Sequence, residues 1–223
     1  MTAQRTNLSE EITSKFILAL HSSHETFGIS VLDLNEPIKS VRSSTFQIGR
    51  LLSNNLLTCV EDLLPAKSWT KLSRLAVATG PGSFTSTRLT VVMARTIAQQ
   101  INCSLDGVSS FALMAPRLAK QLDSEQLQKP FWIAQKLKRR GIVAGLYHLK
   151  NSPKTIQQKF LEIKAPHLIH EELNIHPALS AQVDVRSDVE YLLKISLEAH
   201  RSKQDSPWHN VTPIYPTSPV GNV

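Results

Sequence analysis

The stretch LAVATGPGSFTSTR, residues 75–88, joins an apolar run, a glycine–proline–glycine turn and the start of a helical pattern without a break. Its two glycines, on either side of Pro81, allow a sharp turn with backbone angles that other residues resist. Ser83 or Thr85 is then placed to cap the helix, whose first N–H groups point outward. The pattern predicts a strand, a tight turn and a helix N-terminus, a corner that either packs the chain tightly or accepts an anion.

This corner differs from two catalytic motifs. No Gly-Lys-Ser/Thr follows the glycines, so the turn is not a Walker phosphate loop. Ser83 lies in a sharp turn after a strand, as a nucleophile elbow does, but the order G-P-G-S-F is not G-x-S-x-G. No His–Asp pair is marked out elsewhere as its partner, and helix capping accounts for this serine without chemistry. We therefore expect no catalytic residue here.

The sequence around residues 75–88 predicts an α/β protein, because short apolar runs favour strands and apolar residues at helical spacing favour helices. Pro65 ends the first long helix, and Pro116 interrupts a later one. In the first half we predict strands at Phe16–Leu20, Gly28–Leu34, Ile38–Arg42 and Leu75–Thr79, and helices at Thr45–Leu64, capped by Ser43 or Ser44, and Thr85–Asn102.

The second half of the chain is less regular. Proline is frequent after His200, but Trp208, Val211, Ile214 and Tyr215 suggest that this tail packs back on the protein. We predict a helix at Phe111–Leu122 capped by Ser109 or Ser110, strands at Pro130–Ala134, Gly141–Leu149 and Lys159–Ile163, and a helix that begins at the capping box Ser187–Glu190.

Composition limits the class of protein. The 223 residues, 41% hydrophobic and 19% charged, suit a soluble globular protein of one domain or two small lobes. No apolar run reaches the ~20 residues of a membrane helix, and Met1–Ser14 lacks the apolar core of a signal peptide. Cys59 and Cys103 are expected to be buried free thiols, as in the cytosol.

The net charge of +7 favours polyanionic partners. The densest basic run comprises Lys136, Lys138, Arg139 and Arg140, at the predicted turn of a hairpin. It is either a solvated turn or a phosphate contact to RNA, and no interleaved aromatic residue supports base stacking within this run. His21/His24 and His167/His170 form HxxH pairs without a carboxylate or thiol companion, so we expect no metal site.

The motif GPGSFTSTR resembles the GPGSFTGxR signature of TsaB proteins, the non-catalytic partners of TsaD in threonylcarbamoyladenosine synthesis on tRNA. Three other stretches are similar to family motifs: FILALHSS at 16–23 to ILAxDTS, GVSS at 107–110 to GVSxL, and VTPIY at 211–215 to PxY. The resemblance therefore runs from about Phe16 to the C-terminus, and weakens between about Ser152 and Gln204. The signature residues are Gly80, Pro81, Gly82, Ser83, Phe84, Thr85 and Arg88.

The resemblance implies an actin-like, RNase H-like (ASKHA) fold of two lobes, the second one reduced. We expect a tail at 1–14, a first α/β lobe at 15–108 and a second at 109–223. It further implies a cytoplasmic heterodimer with a TsaD-like catalytic subunit, help from a TsaE-like ATPase, and indirect contact with tRNA. Apolar residues on the first long helix exceed one face, and the resemblance implies that both first-lobe helices meet TsaD in a helical bundle. We therefore place the partner interface at Leu52, Leu56, Cys59, Leu63, Val92 and Arg95.

Departures from the family pattern indicate a protein that is not an enzyme and needs no cofactor. The family's Asp-Thr-Ser is His21-Ser22-Ser23 here, and a neutral imidazole is a poor ligand for Mg²⁺. Ser86 replaces a glycine, and Leu137-Lys138-Arg139 aligns with the family's Asp-Ala-Arg. Two alternatives remain open: an independent ATP-binding enzyme of the same fold, and a homodimeric binding module.

Overall fold

The computed structural model describes residues 15–22, 25–36, 41–138, 140–150, 160–170 and 173–216. Within these ranges the chain forms two β-sheets with helices packed on them. No helix of the described ranges is long and apolar enough to cross a membrane. The strands are β1 (Phe16–His21), β2 (Thr26–Asp33), β3 (Arg42–Gln47), β4 (Leu72–Ala78), β5 (Ser104–Val108), β6 (Phe131–Leu137), β7 (Gly141–Leu149), β8 (Phe160–Ile169) and β9 (Ala178–Ser180).

The first sheet has the strand order β3-β2-β1-β4-β5. β1 pairs with β2 antiparallel and with β4 parallel, and β4 pairs with β5 parallel. Its four α-helical neighbours in the described chain begin and end as follows: α1 at Leu52–Leu63, α2 at Phe84–Ile101, α3 at Ser110–Leu118 and α4 at Val185–Arg201.

Both faces of the first sheet are covered. Leu18 and Leu20 of β1 pack in one core cluster with α1 and α2, whereas Ile17 and Ala19 pack in a second cluster with α4. A strand that is buried on both faces needs an apolar residue at every position, which is why FILAL reads as one unbroken apolar run. The predicted hairpin of β1 and β2 is observed.

The second sheet has the order β8-β7-β6-β9. β6 and β7 form the predicted antiparallel hairpin, and β8 extends it on the far side of β7. One face packs on α3, where Phe111 and Met114 meet Phe131, Ile133 and Tyr147 in a third core cluster. The two-lobed α/β prediction is therefore correct at the level of the sheets.

The last part of the predicted second lobe, residues 109–223, packs on the first sheet. α4 packs on β1, β2 and β4, and the tail after it also returns to the first sheet. Val211 lies in the first core cluster, and the Leu105 N–H donates to the Ser206 carbonyl over 2.9 Å. The second sheet and its helix thus involve residues from about α3 to β9, because the apolar face of α4 is buried against the first sheet.

A buried ion pair ties the tail to the first sheet. The Arg74 Nε and Nη2 atoms donate to the two oxygens of Asp106, each over 2.7 Å. Arg74 Nη1 donates to the Gln204 carbonyl, and the Ser196 hydroxyl of α4 donates to Asp106 over 2.8 Å. Charged groups stay in the interior only when their bonding capacity is used in this way.

Two element boundaries correct the sequence reading. Residues 42–47, predicted to be the last residue of a strand and the capped start of a helix, form the edge strand β3, because they pair with β2 from Arg42 to Gln47. The regular helix α1 therefore begins at Leu52, after a short 3-10 turn at Gly49–Leu51, and Ser43 and Ser44 cap nothing. Residues 37–40 lie outside the described ranges.

At α4 the true N-cap is Asp184, whose carboxylate accepts the Ser187 N–H, so the predicted capping box is wrong. β5 was not predicted as a strand, and β8 extends six residues beyond the predicted end at Ile163, through Pro166. Cys59 is buried and Cys103 half-buried, and both are free. Burial raises the pKa of both thiols, that of Cys103 to about 11.

Candidate functional site: the glycine loop and its cleft

The glycine loop connects β4 to α2 and is held by backbone hydrogen bonds on both sides. The Thr79 N–H donates to the Val108 carbonyl over 2.9 Å, and the Ser110 N–H donates to the Gly80 carbonyl over 2.6 Å. From the tail, the Ile214 N–H donates to the Thr79 carbonyl over 2.8 Å. Gly80 has a φ of +97°, which side chains other than glycine rarely adopt. The loop is therefore held by two segments that are distant from it in the chain, residues 108–110 and the tail at Ile214.

Ser83 is the N-cap of α2. The sequence predicts either Ser83 or Thr85 for this role. Its Oγ lies 3.5 Å from the Ser86 N–H and donates to Ser86 Oγ over 3.0 Å. Thr85 lies inside the first turn and is exposed. A serine whose oxygen is used in this way acts as a cap, which agrees with the expectation of a structural role for Ser83.

Arg88 lies on the exposed side of α2, beside two aromatic rings that contact each other. Its guanidinium carbon is 5.2 Å from the Phe84 ring centroid and 5.8 Å from that of Tyr215, and the two rings are 5.1 Å apart. Cation–π contacts of this kind hold an exposed arginine in place. Phe84 and Arg88 of the family signature are thereby joined to Tyr215 in the predicted closing motif.

At the end of β1, two of the three residues that replace the family's Asp-Thr-Ser are buried, and the third, Ser23, lies outside the described residues. His21 and Ser22 are at most 1% exposed, and the Ser22 Oγ lies 2.7 Å from Thr90 Oγ1 and 3.1 Å from the Ser86 carbonyl oxygen. The Thr90 hydroxyl also donates to the Ser86 carbonyl over 3.0 Å. These hydroxyls connect β1 to α2, so they hold the loop in position and do not face a ligand.

A cleft of about 650 Å³ opens beside the loop, between the two sheets. The N-terminal turn of α2, the segment from Gly49 to Ser53 and the β6–β7 hairpin form its walls. The Gly49 N–H donates to the Glu25 carbonyl over 2.8 Å, which brings Glu25 to the rim. The polar groups that line the cleft are Glu25, Arg50, Ser53, Ser83, Thr85, Ser86 and Gln135.

One carboxylate, one guanidinium and several hydroxyls can orient a small polar molecule, but they form no nucleophile–base pair. Among the described residues, no group of three or more His, Cys, Asp or Glu could hold a metal ion. The sequence reading missed Glu25, Arg50, Ser53 and Gln135, because they come from separate elements and belong to no motif. Only the packing of the hairpin against the loop brings them together.

The predicted partner-interface residues divide into two groups. Leu52, Leu56, Cys59 and Leu63 are only 3–9% exposed and belong to the core of the first lobe, so they are not available to a partner. This corrects the sequence reading, which could not tell the inner face of α1 from its outer face. Val92 is 52% exposed, and Arg95 is half-buried, 5.8 Å from the Trp208 ring centroid.

Other apolar side chains occupy the outer faces of the same helices. Leu57 on α1 is 53% exposed and Phe84 on α2 is 38% exposed, while Leu51, just before α1, is 61% exposed. Leu89 and Met93 of α2 are half-buried at the border of the core. We call Leu51, Leu57, Phe84, Leu89, Val92 and Met93 the helical patch.

The remaining predicted positions are polar and exposed. Lys138 and Arg140 lie at the exposed turn between β6 and β7, and Arg139 lies outside the described residues. His167 and His170 are exposed at the end of β8, and His24 lies outside the described residues, so the HxxH pair at its position is not described.

The glycine corner between β4 and α2, set against a smaller second sheet across a cleft, is arranged as in ASKHA-type folds. Two solved structures share this fold. The first is a protein with similarity to peptidase YeaZ from Pseudomonas aeruginosa, with a TM-score of 0.68 and 19% identity, and the match covers 91% of this chain and all of that one. The second is YeaZ from Pseudomonas aeruginosa, with a TM-score of 0.64 and 18% identity, and the match covers 90% of this chain and 99% of that one.

Sequence comparison gives the particular family. The model of the TsaD family, tRNA N6-adenosine threonylcarbamoyltransferase, matches residues 47–167, more than half of the chain. This chain therefore belongs to that family. It is 30% identical over 141 residues to the tRNA threonylcarbamoyladenosine biosynthesis protein TsaB of Bacillus subtilis, a match that covers 60% of this chain and 56% of the relative. The predicted TsaB resemblance is confirmed.

Proposed function

We propose that this chain is a TsaB-like, non-catalytic subunit that binds a TsaD-like catalytic protein in the cytoplasm and supports threonylcarbamoyl transfer to tRNA. A TsaE-like ATPase would join the same assembly, and tRNA would be bound by the complex. The observation that carries this proposal is the helical patch, an apolar surface on two neighbouring helices of a protein whose relative is named for this modification.

The patch has the character of an interface. Its exposed members, Leu57 and Val92, lie on α1 and α2, which contact each other on one side of the first sheet. Solvent-exposed leucines and valines scattered singly are ordinary, whereas several of them on two neighbouring helices offer apolar surface that association would remove from water. Two helix faces suffice for the ~800 Å² per partner of a stable complex.

The non-catalytic role is supported by the residues beside the glycine loop. Where ATPases of this fold place a carboxylate after the first strand, this chain has His21, and Ser22 is hydrogen-bonded to α2. A hard cation such as Mg²⁺ requires oxygen ligands that face the nucleotide. Among the described residues, Glu25 is the one carboxylate on the cleft wall. A metal ion bound to a triphosphate there would therefore have a single carboxylate ligand from these residues.

The test mixes the purified chain with the TsaD-like protein of its own organism and determines the mass by light scattering after gel filtration. A one-to-one heterodimer is expected for the wild-type chain. The double variant Leu57→Asp/Val92→Asp should weaken the complex at least about 100-fold, because two charges would be buried in an apolar contact. Its circular dichroism and unfolding midpoint should remain close to wild type, since both positions are exposed.

Two further variants make the result specific. Val183→Asp changes a residue of similar exposure, 49%, that precedes α4 on another surface, and should bind like wild type. Leu56→Asp places the charge one residue away from Leu57 but inside the core, and should unfold the chain. An intact heterodimer with the double variant would refute the assignment of the helical patch.

The two alternatives predict different results in the same experiment. If the patch serves a homodimer, the chain alone has twice its monomer mass at micromolar concentration, and added TsaD-like protein leaves that dimer intact. The cleft of about 650 Å³ is the observation that favours an independent ATP-binding enzyme. That alternative requires saturable binding of Mg·ATP and turnover by the chain alone, both abolished by Arg50→Ala or Ser53→Ala at the cleft wall.

A further inference from the structure

The strand register of the second sheet separates its residues into two faces. Lys164, Leu146 and Trp132 lie directly opposite one another on β8, β7 and β6, and therefore point to the same side. His167 and Ala144 lie in the next row of that side. We call this side the outer face.

Among the described residues, the outer face carries exposed and half-buried side chains, although Ala144 is fully buried and Ile169 is 7% exposed there. The core of the second lobe takes Phe131, Ile133 and Tyr147 from the opposite side of the sheet, where α3 packs. Trp132 and Leu146 are half-buried within the sheet surface, and neither belongs to a core cluster of the described residues. A tryptophan on such a surface contributes little to the core.

The charge on the outer face is positive. The described strands β6 to β9 contain one acidic residue, Glu162, which lies opposite Tyr147 and accepts hydrogen bonds from the Ser109 and Tyr147 hydroxyls on the covered side. The outer face instead presents Lys164 and His167. At the edge formed by the β6–β7 turn, the exposed cations of that turn add to this potential, which attracts anions.

Trp132 is the centre of this surface. The Lys164 Nζ lies 5.8 Å from its ring centroid, and the His167 ring lies 6.3 Å away, tilted by 57°. A sheet surface with an aromatic ring beside a lysine and a histidine offers a stacking surface for a base and contacts for the adjoining phosphates. We propose that the outer face binds a single-stranded segment of RNA, with one unpaired base stacked on Trp132 and a phosphate at Lys164.

This binding site is separate from the surface used for the protein partner. The helical patch lies on α1 and α2 of the first sheet, whereas the outer face belongs to β6, β7 and β8 of the second sheet. The chain could therefore hold RNA and a catalytic subunit together. The inference does not rest on the proposed function, since the chain alone should bind RNA.

The test measures fluorescence anisotropy of a labelled RNA stem-loop with an unpaired loop of about seven nucleotides, and of a blunt RNA duplex with equal charge. The full chain should bind the stem-loop more tightly than the duplex. Trp132→Ala should weaken binding to the stem-loop about tenfold or more, and Trp132→Phe should preserve most of it. Lys164→Gln should reduce the slope of log affinity against log salt by about one.

The controls separate stacking from charge and from misfolding. Trp208→Ala removes a half-buried tryptophan of the first lobe and should leave RNA affinity unchanged. Trp132→Ala should retain the unfolding midpoint of the wild type and its heterodimer with the TsaD-like protein. Failure of RNA binding with an intact heterodimer would therefore overturn this inference alone.

Three results would refute the proposal. The first is no binding of the stem-loop up to about 100 µM, the weak end of non-specific affinity. The second is equal binding of stem-loop and duplex that Trp132→Ala leaves unchanged, which is attraction by charge alone. The third is tighter, Trp132-dependent binding to vesicles containing phosphatidylserine than to RNA, which would identify a membrane as the occupant.

Discussion

The two sheets of this protein differ in how many of their faces are covered. In the first sheet, consecutive residues Ile17 and Leu18 of β1 are both fully buried, each in a different core cluster. In the second sheet, Ile133 of β6 is fully buried, whereas its neighbour Trp132 belongs to no core cluster of the described residues. A sheet that is buried on both faces contributes to stability, whereas a face that carries exposed and half-buried side chains is available for binding.

The largest effect is expected from breaking the ion pair that holds α4 and the tail on the first sheet. Arg74→Met leaves Asp106 buried without its guanidinium partner, since only Ser196 still donates to it. We expect the free energy of unfolding to fall by about 3–5 kcal/mol, measured by urea denaturation. Arg74→Met/Asp106→Leu should be less destabilised than the single variant, because it removes the unpaired charge; an equal or larger loss would contradict this explanation.

The second prediction tests whether both faces of the first sheet contribute alike. Ile17→Ala and Leu18→Ala each remove a fully buried side chain, one on the α4 side and one on the side of α1 and α2. Each should lower the free energy of unfolding by about 2–5 kcal/mol. A cost below about 1 kcal/mol for either variant would show that its face is not covered as described.

The third prediction applies the same comparison to the second sheet. Ile133→Ala should cost about 2–4 kcal/mol, because its side chain packs against α3. Trp132→Ala, one residue earlier, should cost less than about 1 kcal/mol, although it deletes a larger side chain. Thermal and urea unfolding of the two variants side by side provide the measurement. Equal losses would mean that the outer face is covered in the folded protein.

The smallest expected effect concerns the contact between the lobes at Asp188. This residue of α4 lies 3.1 Å from Arg117 of α3, and burial raises its pKa to about 6 despite that arginine. In the unfolded chain the pKa is about 4, so the folded state binds the proton more tightly. The resulting stability is fully present below pH ~4 and is lost as the pH rises through about 6.

Asp188→Asn cannot titrate, so the stability of wild type relative to this variant should fall by about 2 kcal/mol between pH 4 and 7. Urea denaturation at several pH values measures the difference. Asp184 provides a control of opposite sign, since the Ser187 hydroxyl lowers its pKa and its contribution is lost as the pH falls. A wild-type-to-variant difference that is constant across this range would contradict the assignment for Asp188.

Local sequence was sufficient where the physical cause is local. Gly80 needs a positive φ, Ser83 caps α2, and the apolar run of β1 requires two covered faces; each can be read from neighbouring residues. The secondary-structure prediction was wrong where the same residues also fitted a second local pattern. Residues 43–47 include hydroxyls that can cap a helix, yet their backbone pairs with β2. This pairing satisfies N–H and C=O groups of β2 that a helix at residues 43–47 would leave unpaired.

The candidate site was predictable only in part. The motif identified the loop, but the cleft residues Glu25, just before β2, and Gln135, within β6, are connected by no short-range pattern. The wide apolar stripe of α1 suggested an interface, but the residues predicted to form it, such as Leu56, are buried in the core. Helical periodicity identifies an apolar face but does not show whether the core or a partner covers it.

By itself, the sequence determined the α/β class, the strand–turn–helix corner, the capping serine and the family to which the chain belongs, since these depend on residues close together in the chain. Tertiary structure alone decided that α4 and the tail return to the first sheet, that Leu57 and not Leu56 faces solvent, and that Trp132, Lys164 and His167 share one face. The physical reason is that burial and register depend on long-range packing, which assigns each apolar or charged side chain to a neighbour or to water.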